Sequence, residues 1–203
     1  MKKYILVVLF LTISFYSCHD EYQNETIEEV VQNDVHQVFG KFHASNEIRG
    51  VDLFLDQFDS FDQLIERTET IVCNDSLPKF TFKTDEGMKT VFFSNYCMED
   101  FACVLIYRRN IIHILNDTIL KYTGDPCVRN SLEFTLRNHL YNFGKNPGWC
   151  DHPSSLVIYI SYDKNKSYEN FPETLDLITS TYKEITSNSD LRIILYQLVK
   201  KKL

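Results

Sequence analysis

The 203-residue chain is poor in glycine, with only 6, and none of them falls in a phosphate-cradling loop. Backbone cradles of that kind need glycine where a side chain would block the phosphate, so the usual nucleotide-binding loops are not written here. Neither G-x-S-x-G nor H-E-x-x-H occurs, which removes the nucleophile elbow and the zinc-binding helix. No cysteine pair has the C-x-x-C spacing of a structural metal site. Basic residues are also scarce: 21 Lys and Arg stand against 28 Asp and Glu, for a net charge of -7. That balance argues against nucleic acid and against an anionic membrane surface as partners. The one basic cluster, Lys200–Lys202, reads as a solvated tail. Together these absences favour a protein that is not an enzyme and carries no metal or cofactor.

Long apolar runs are missing too, except at the start. Lys2 and Lys3 precede an apolar stretch from Tyr4 to Phe15, followed by Ser17 and Cys18. A membrane span takes roughly 20 apolar residues, so this shorter run reads as an export signal over residues 1–17. Ser17-Cys18 resembles the ending of bacterial lipoprotein signals, in which the cysteine becomes the lipidated first residue, although Phe15 and Tyr16 depart from the usual pattern. Cys18 is therefore the expected lipidation site, with residues 18–25 as a polar tether too hydrophilic to order itself. Beyond it lie Cys73, Cys97, Cys103, Cys127 and Cys150, an odd number in an oxidising compartment, which permits at most two disulfides.

Periodicity predicts an α+β fold. Thr26-x-x-Glu29 opens an expected helix running to about Phe42, and on it His36 and His43 read as solvated or half-buried rather than as metal ligands. A short strand follows over residues 51–55. Ser60-x-x-Gln63 then caps a second helix ending near Cys73. Pro78 interrupts the pattern before an expected hairpin, residues 79–83 against 90–96, turning at Asp85-Glu86-Gly87.

The second half should begin with another hairpin, 102–107 against 111–115, after which Asn116-Asp117 opens a connection. Asp125-Pro126 starts a helix closed by Gly144. Such a helix would hold Cys127 and Cys150 roughly 25 to 30 Å apart, beyond disulfide reach. The isolated Cys150 and His152 pair reads as a loop position carrying a disulfide and a surface His rather than as metal ligands. Leu156, Ile158 and Ile160 alternate with Val157, Tyr159 and Ser161, a strand apolar on both faces. Phe171, Leu175, Ile178 and Tyr182 then form one stripe of a helix, and residues 191–198 supply a last strand. The expected architecture is a mixed sheet with helices on one face, its C-terminal half ordered β-β-α-β-α-β. Two regions are expected, residues 26–100 and 101–203.

In that second region Asp163 ends the apolar strand, Tyr168 follows five residues later and Asp176 eight further along the helix. These residues and the order of elements resemble the periplasmic domain of the ExbD/TolR biopolymer-transport family over residues 102–198. Members of that family also carry a transmembrane aspartate used in proton coupling. The apolar run here has no acidic residue, so the resemblance does not extend to a motor role.

The resemblance implies an envelope domain that binds a protein or peptidoglycan; with the signal and the missing catalytic motifs, the expectation is a non-enzymatic cell-envelope lipoprotein facing the periplasm or cell surface. The edge of the last strand, Leu191–Leu198, would be a natural docking place for an added strand. A second reading is a secreted, disulfide-stabilised binding protein without lipid, favoured by N-x-S/T sites at Asn24, Asn74, Asn116 and Asn165. A Cys/His hydrolase assembled by folding is the third.

Overall fold

A computed structural model of the chain describes residues 35–40, 49–97, 106–120, 126–127 and 132–197. All of them belong to one compact unit, Asp34–Leu203. The fold is α+β. Among the described residues there are strands β1 (Val35–Phe39), β2 (Gly50–Asp52), β3 (Leu77–Thr84), β4 (Gly87–Phe92), β5 (Ile111–Leu115), β6 (Thr118–Leu120), β7 (Pro126–Cys127), β8 (Val157–Ser161) and β9 (Ile193–Leu195). The helices are α1 (Phe61–Cys73), α2 (Leu132–Leu140) and α3 (Phe171–Thr186).

The strands form two mixed sheets, ordered β1-β4-β3-β2 and β7-β6-β5-β8-β9. They meet along one edge of β4. That edge is taken first by β1, in parallel register from Val35↔Gly87 to Phe39↔Val91, and then by β9 through the bridge Phe93↔Ile193. Gly40, at the end of β1, donates its N–H to Ser189 O at 2.9 Å, just before β9 begins. A Cβ on Gly40 would lie 2.7 Å from Phe92 O, and its φ of +115° is open only to glycine, so this junction depends on that residue. Asn95 completes the seam: its amide donates to Leu195 O at 2.8 Å and its Oδ1 accepts from Leu195 N at 3.0 Å, standing in for one more pair of strand bonds. The outer edge of β9 is thus occupied at Ile193 and Leu195, which removes these residues from the docking edge expected at residues 191–198.

Helix α1 follows its capping residues. Ser60 Oγ accepts from Gln63 N at 3.4 Å, while Gln63 Oε1 accepts from Asp59 N at 2.8 Å, so the return bond goes one residue further out than in a standard capping box. The α3 stripe expected from sequence is buried in full: Phe171, Leu175, Ile178 and Tyr182, joined by Thr174, Thr179 and Ile185. Phe171 sits at the hub, its ring 5.8 Å from those of Phe61 and Phe80, 6.2 Å from Phe93 and 6.4 Å from Tyr162. Strand β8 is buried on both faces at Val157, Ile158, Ile160 and Ser161.

Four sequence expectations are corrected. Residues 35–39 form β1 rather than the end of a helix, because the β-branched and aromatic residues of Val-His-Gln-Val-Phe pair with β4. Pro78 lies inside β3 without breaking it; its carbonyl accepts from Phe93 N at 2.9 Å, so its missing donor faces the same side, at the end of the β3–β4 ladder just past Phe92, where little strand pairing is lost. Asn116-Asp117 makes a tight hairpin turn from β5 into β6, with φ of 47° and 61° as a type I′ turn needs. Finally, Pro126–Cys127, expected at the start of a helix, pairs with β6 as β7, and the described helix is Leu132–Leu140. With Cys127 in a strand, the helix-length argument separating it from Cys150 no longer applies. The C-terminal half therefore reads β-β-β-α-β-α-β from β5 onward. Cys73 and Cys97 are joined by a disulfide, which ties the end of α1 to the chain beyond β4.

Candidate functional site

Asp163, Tyr168 and Asp176 fall in three different settings. Asp163 follows β8. Its backbone N–H donates to Asn116 Oδ1 at 2.9 Å and its carboxylate accepts from Asn116 Nδ2 at 3.1 Å, a two-bond clamp between the β5–β6 turn and the start of the β8–α3 turn. Asp117 extends the clamp by accepting from Thr174 Oγ1 at 2.6 Å and from the Tyr162 hydroxyl. Tyr168 stands one turn before α3, its ring tilted against that of Phe61 at 5.9 Å, with its hydroxyl donating to Phe58 O and lying 3.4 Å from Leu55 O. Burial, and secondly the charge of Asp59, hold its phenol above the ordinary range.

Asp176, expected on the helix surface, also reaches inward. Lys89 Nζ lies 2.6 Å from Asp176 Oδ1 and 2.6 Å from Ser180 Oγ, and 5.9 Å from the centre of the Phe39 ring. The lysine side chain is 1% exposed and the aspartate 41%. Sequence reasoning missed this pair, although strand parity could have found it: Lys89 shares a face of β4 with Gly87 and Val91, both buried.

Between the loop that carries Leu55–Asp59 and the turn 164–169 opens a cleft of about 720 Å³. Tyr168 forms its floor by linking the two sides. Asp56 and Asp59 stand on one side, Lys164 and Lys166 on the other, with Glu169 beside them and Leu55 and Phe58 supplying apolar surface. Lys164 Nζ is 3.4 Å from Asp62 at the start of α1. The cleft lies at the carboxyl end of β8, where strands feeding helices commonly present ligand sites. None of its charged residues was singled out from sequence, because the two loops are brought together only by folding.

The cysteine and histidine expected in one loop serve structure. Cys150, expected in a disulfide, is instead buried and free; its thiol lies 3.0 Å from His152 O, and burial pushes its pKa up, the opposite of an activated nucleophile. His139 Nδ1 accepts from Cys150 N at 3.3 Å, and burial lowers its pKa to about 4, so the imidazole is neutral. Asn142 closes the loop by donating to Asn146 O and Cys150 O, each at 2.9 Å. The buried atoms Arg109 Nε and Asn110 Oδ1 have no hydrogen-bond partner among the described residues.

His36 is bonded to Thr90 Oγ1 at 2.9 Å. Among the described residues no group of three or more His, Cys, Asp or Glu is placed to hold a metal ion. Cys18, His43, Asn24, residues 102–105 of the expected strand 102–107 and the Lys200–Lys202 tail lie outside the described residues. Comparison with protein-family models, curated proteins and solved structures finds no match to this chain.

Proposed function

We propose that this is an exported cell-envelope lipoprotein, held at Cys18 by a lipid after removal of residues 1–17, whose folded unit binds a protein or peptidoglycan partner without chemistry. Support comes from one observation above all: Asp163 and Tyr168, two residues of the ExbD/TolR resemblance, spend their bonds on shaping the turn that forms one wall of the open cleft. Their role is architectural, and the wall they hold is a surface for recognition. A lipid tether of several acyl chains would keep that surface durably at the membrane.

Labelling with a radioactive fatty acid tests the anchor: wild type should incorporate label and Cys18→Ala should not, and equal behaviour removes the lipoprotein reading. The partner is tested by co-sedimentation with purified peptidoglycan and by photo-crosslinking from position 165 in intact cells. A crosslink that disappears when the turn is loosened by Tyr168→Ala supports the cleft; crosslinking indifferent to that change moves the partner elsewhere.

The reading without lipid retains one specific observation in its favour. Of the described N-x-S/T sites, Asn116 uses its amide on Asp163 and Asn74 donates its own to Thr70 O at 2.7 Å, whereas Asn165 is exposed in a turn. A glycan found at Asn165 in the protein's own host would select that reading.

A further inference from the structure

We infer that the cleft binds a short zwitterionic peptide, its ammonium held at Asp56 and Asp59 and its carboxylate at Lys164 and Lys166; this rests on the cleft being the binding site proposed above. Opposite charges that face each other across a surface crevice ordinarily close on one another. Here they do not: Lys164 turns aside to Asp62, at 3.4 Å, and neither Lys166 nor the carboxylates of Asp56 and Asp59 have an ion-pair partner among the described residues.

The two sides are prevented from collapsing by Tyr168, whose hydroxyl on Phe58 O and ring beside Phe61 fix the spacing between the loop and the turn. The volume, about 720 Å³, is in the range of small-ligand pockets. A dipeptide spans about 7 Å between its charged ends, at roughly 3.5 Å per residue. Leu55 and Phe58 offer apolar contact for side chains between those ends. Glu169, on the lysine side, disfavours a ligand carrying more negative than positive charge, which argues for a zwitterion over a simple anion.

The test is calorimetric titration of the purified full-length protein with L-alanyl-L-alanine, its N-acetyl derivative and its C-terminal amide. The free dipeptide should bind, and each capped form should bind about tenfold more weakly, the loss expected for one charged contact of about 1.4 kcal/mol. Asp56→Asn with Asp59→Asn should erase the preference for a free amine, and Lys164→Gln with Lys166→Gln the preference for a free carboxylate. All four positions are exposed, so both double variants should melt as the wild type does.

Equal binding of all three compounds, preferences untouched by the variants, or no binding of any of them would overturn the inference. Peptidoglycan or protein binding that persists while the dipeptides are ignored leaves the proposed function standing without it. Dipeptide binding with no envelope partner does the reverse.

Discussion

The two halves of the molecule are built on different principles. In residues 35–97 the sheet ends in short outer strands, β1 and β2, its inner strand β3 alternates buried and half-buried residues along most of its length, and the closing elements are chemical: a disulfide, Cys73–Cys97, and a buried ammonium, Lys89. Residues 106–197 rely on apolar burial, with a central strand β8 covered on both faces and a free, buried Cys150. The difference teaches where the cooperativity lies. The first half has few helices to cover its sheet, so it borrows the face of α3 through Phe80, Phe93 and Lys89, and the seam of Phe93, Asn95 and Gly40 makes one unit of both.

The sharpest way to break this comparison is Phe171→Ala. Removing a fully buried aromatic hub should cost about 3–5 kcal/mol, and because its neighbours come from both halves, thermal unfolding should remain one transition at a lower temperature. Two separated transitions in calorimetry would mean that the halves are coupled only weakly.

Next in size is the acid response of the second half. His139 has a folded pKa of about 4 against an ordinary 6.5, so below 6.5 the unfolded chain takes up a proton that the folded chain refuses. Stability should therefore be constant with respect to this group above about pH 6.5, fall as pH drops towards 4, and level off below it, a loss of roughly 3 kcal/mol. His139→Gln, which can still accept from Cys150 N, should flatten that part of the curve measured by denaturant titration at several pH values.

Reduction of Cys73–Cys97, or its replacement by serines, should cost about 3 kcal/mol from the loop entropy it restores to the unfolded chain. Hydrogen exchange sharpens the comparison: added exchange should concentrate at the end of α1 and the start of β3, with β8 still protected.

The smallest effect concerns the ion pair across the seam. Asp176→Ala leaves the Lys89 ammonium with Ser180 alone; since Asp176 is 41% exposed and water can partly replace it, the cost should be about 1–2 kcal/mol, below that of a fully buried pair. Lys89→Met, which removes the charge but keeps the volume, should cost less. If Lys89→Met is the more damaging of the two, the lysine is held by something other than its pairing.

The α3 stripe, the double-sided burial of β8, the Ser60 cap and the β3–β4 turn were all legible because each is written in local period or local chemistry. The strand at Val35–Phe39 was not: its five residues carry no period-2 alternation, and Val35 and Val38 fit a helical stripe until β4 lies beside them. Strand β7 was hidden for a similar reason, since two residues carry no period. At the site, Asp163 and Tyr168 could be picked out by spacing, but their partners Asn116, Leu55 and Phe58 could not, because they lie 47, 113 and 110 residues away.

Taken alone, the sequence determined the class of fold, the helix that organises the core and the absence of familiar catalytic and phosphate-binding motifs, since these depend on hydrophobic period and on residues close in the chain. Only the tertiary structure decided that the last strand's edge is occupied, that Lys89 is buried against Asp176, and that loop 55–59 faces turn 164–169 across a cleft. Those are long-range pairings, chosen by how much apolar surface and how many hydrogen bonds the whole chain can satisfy at once, and no local pattern encodes that sum.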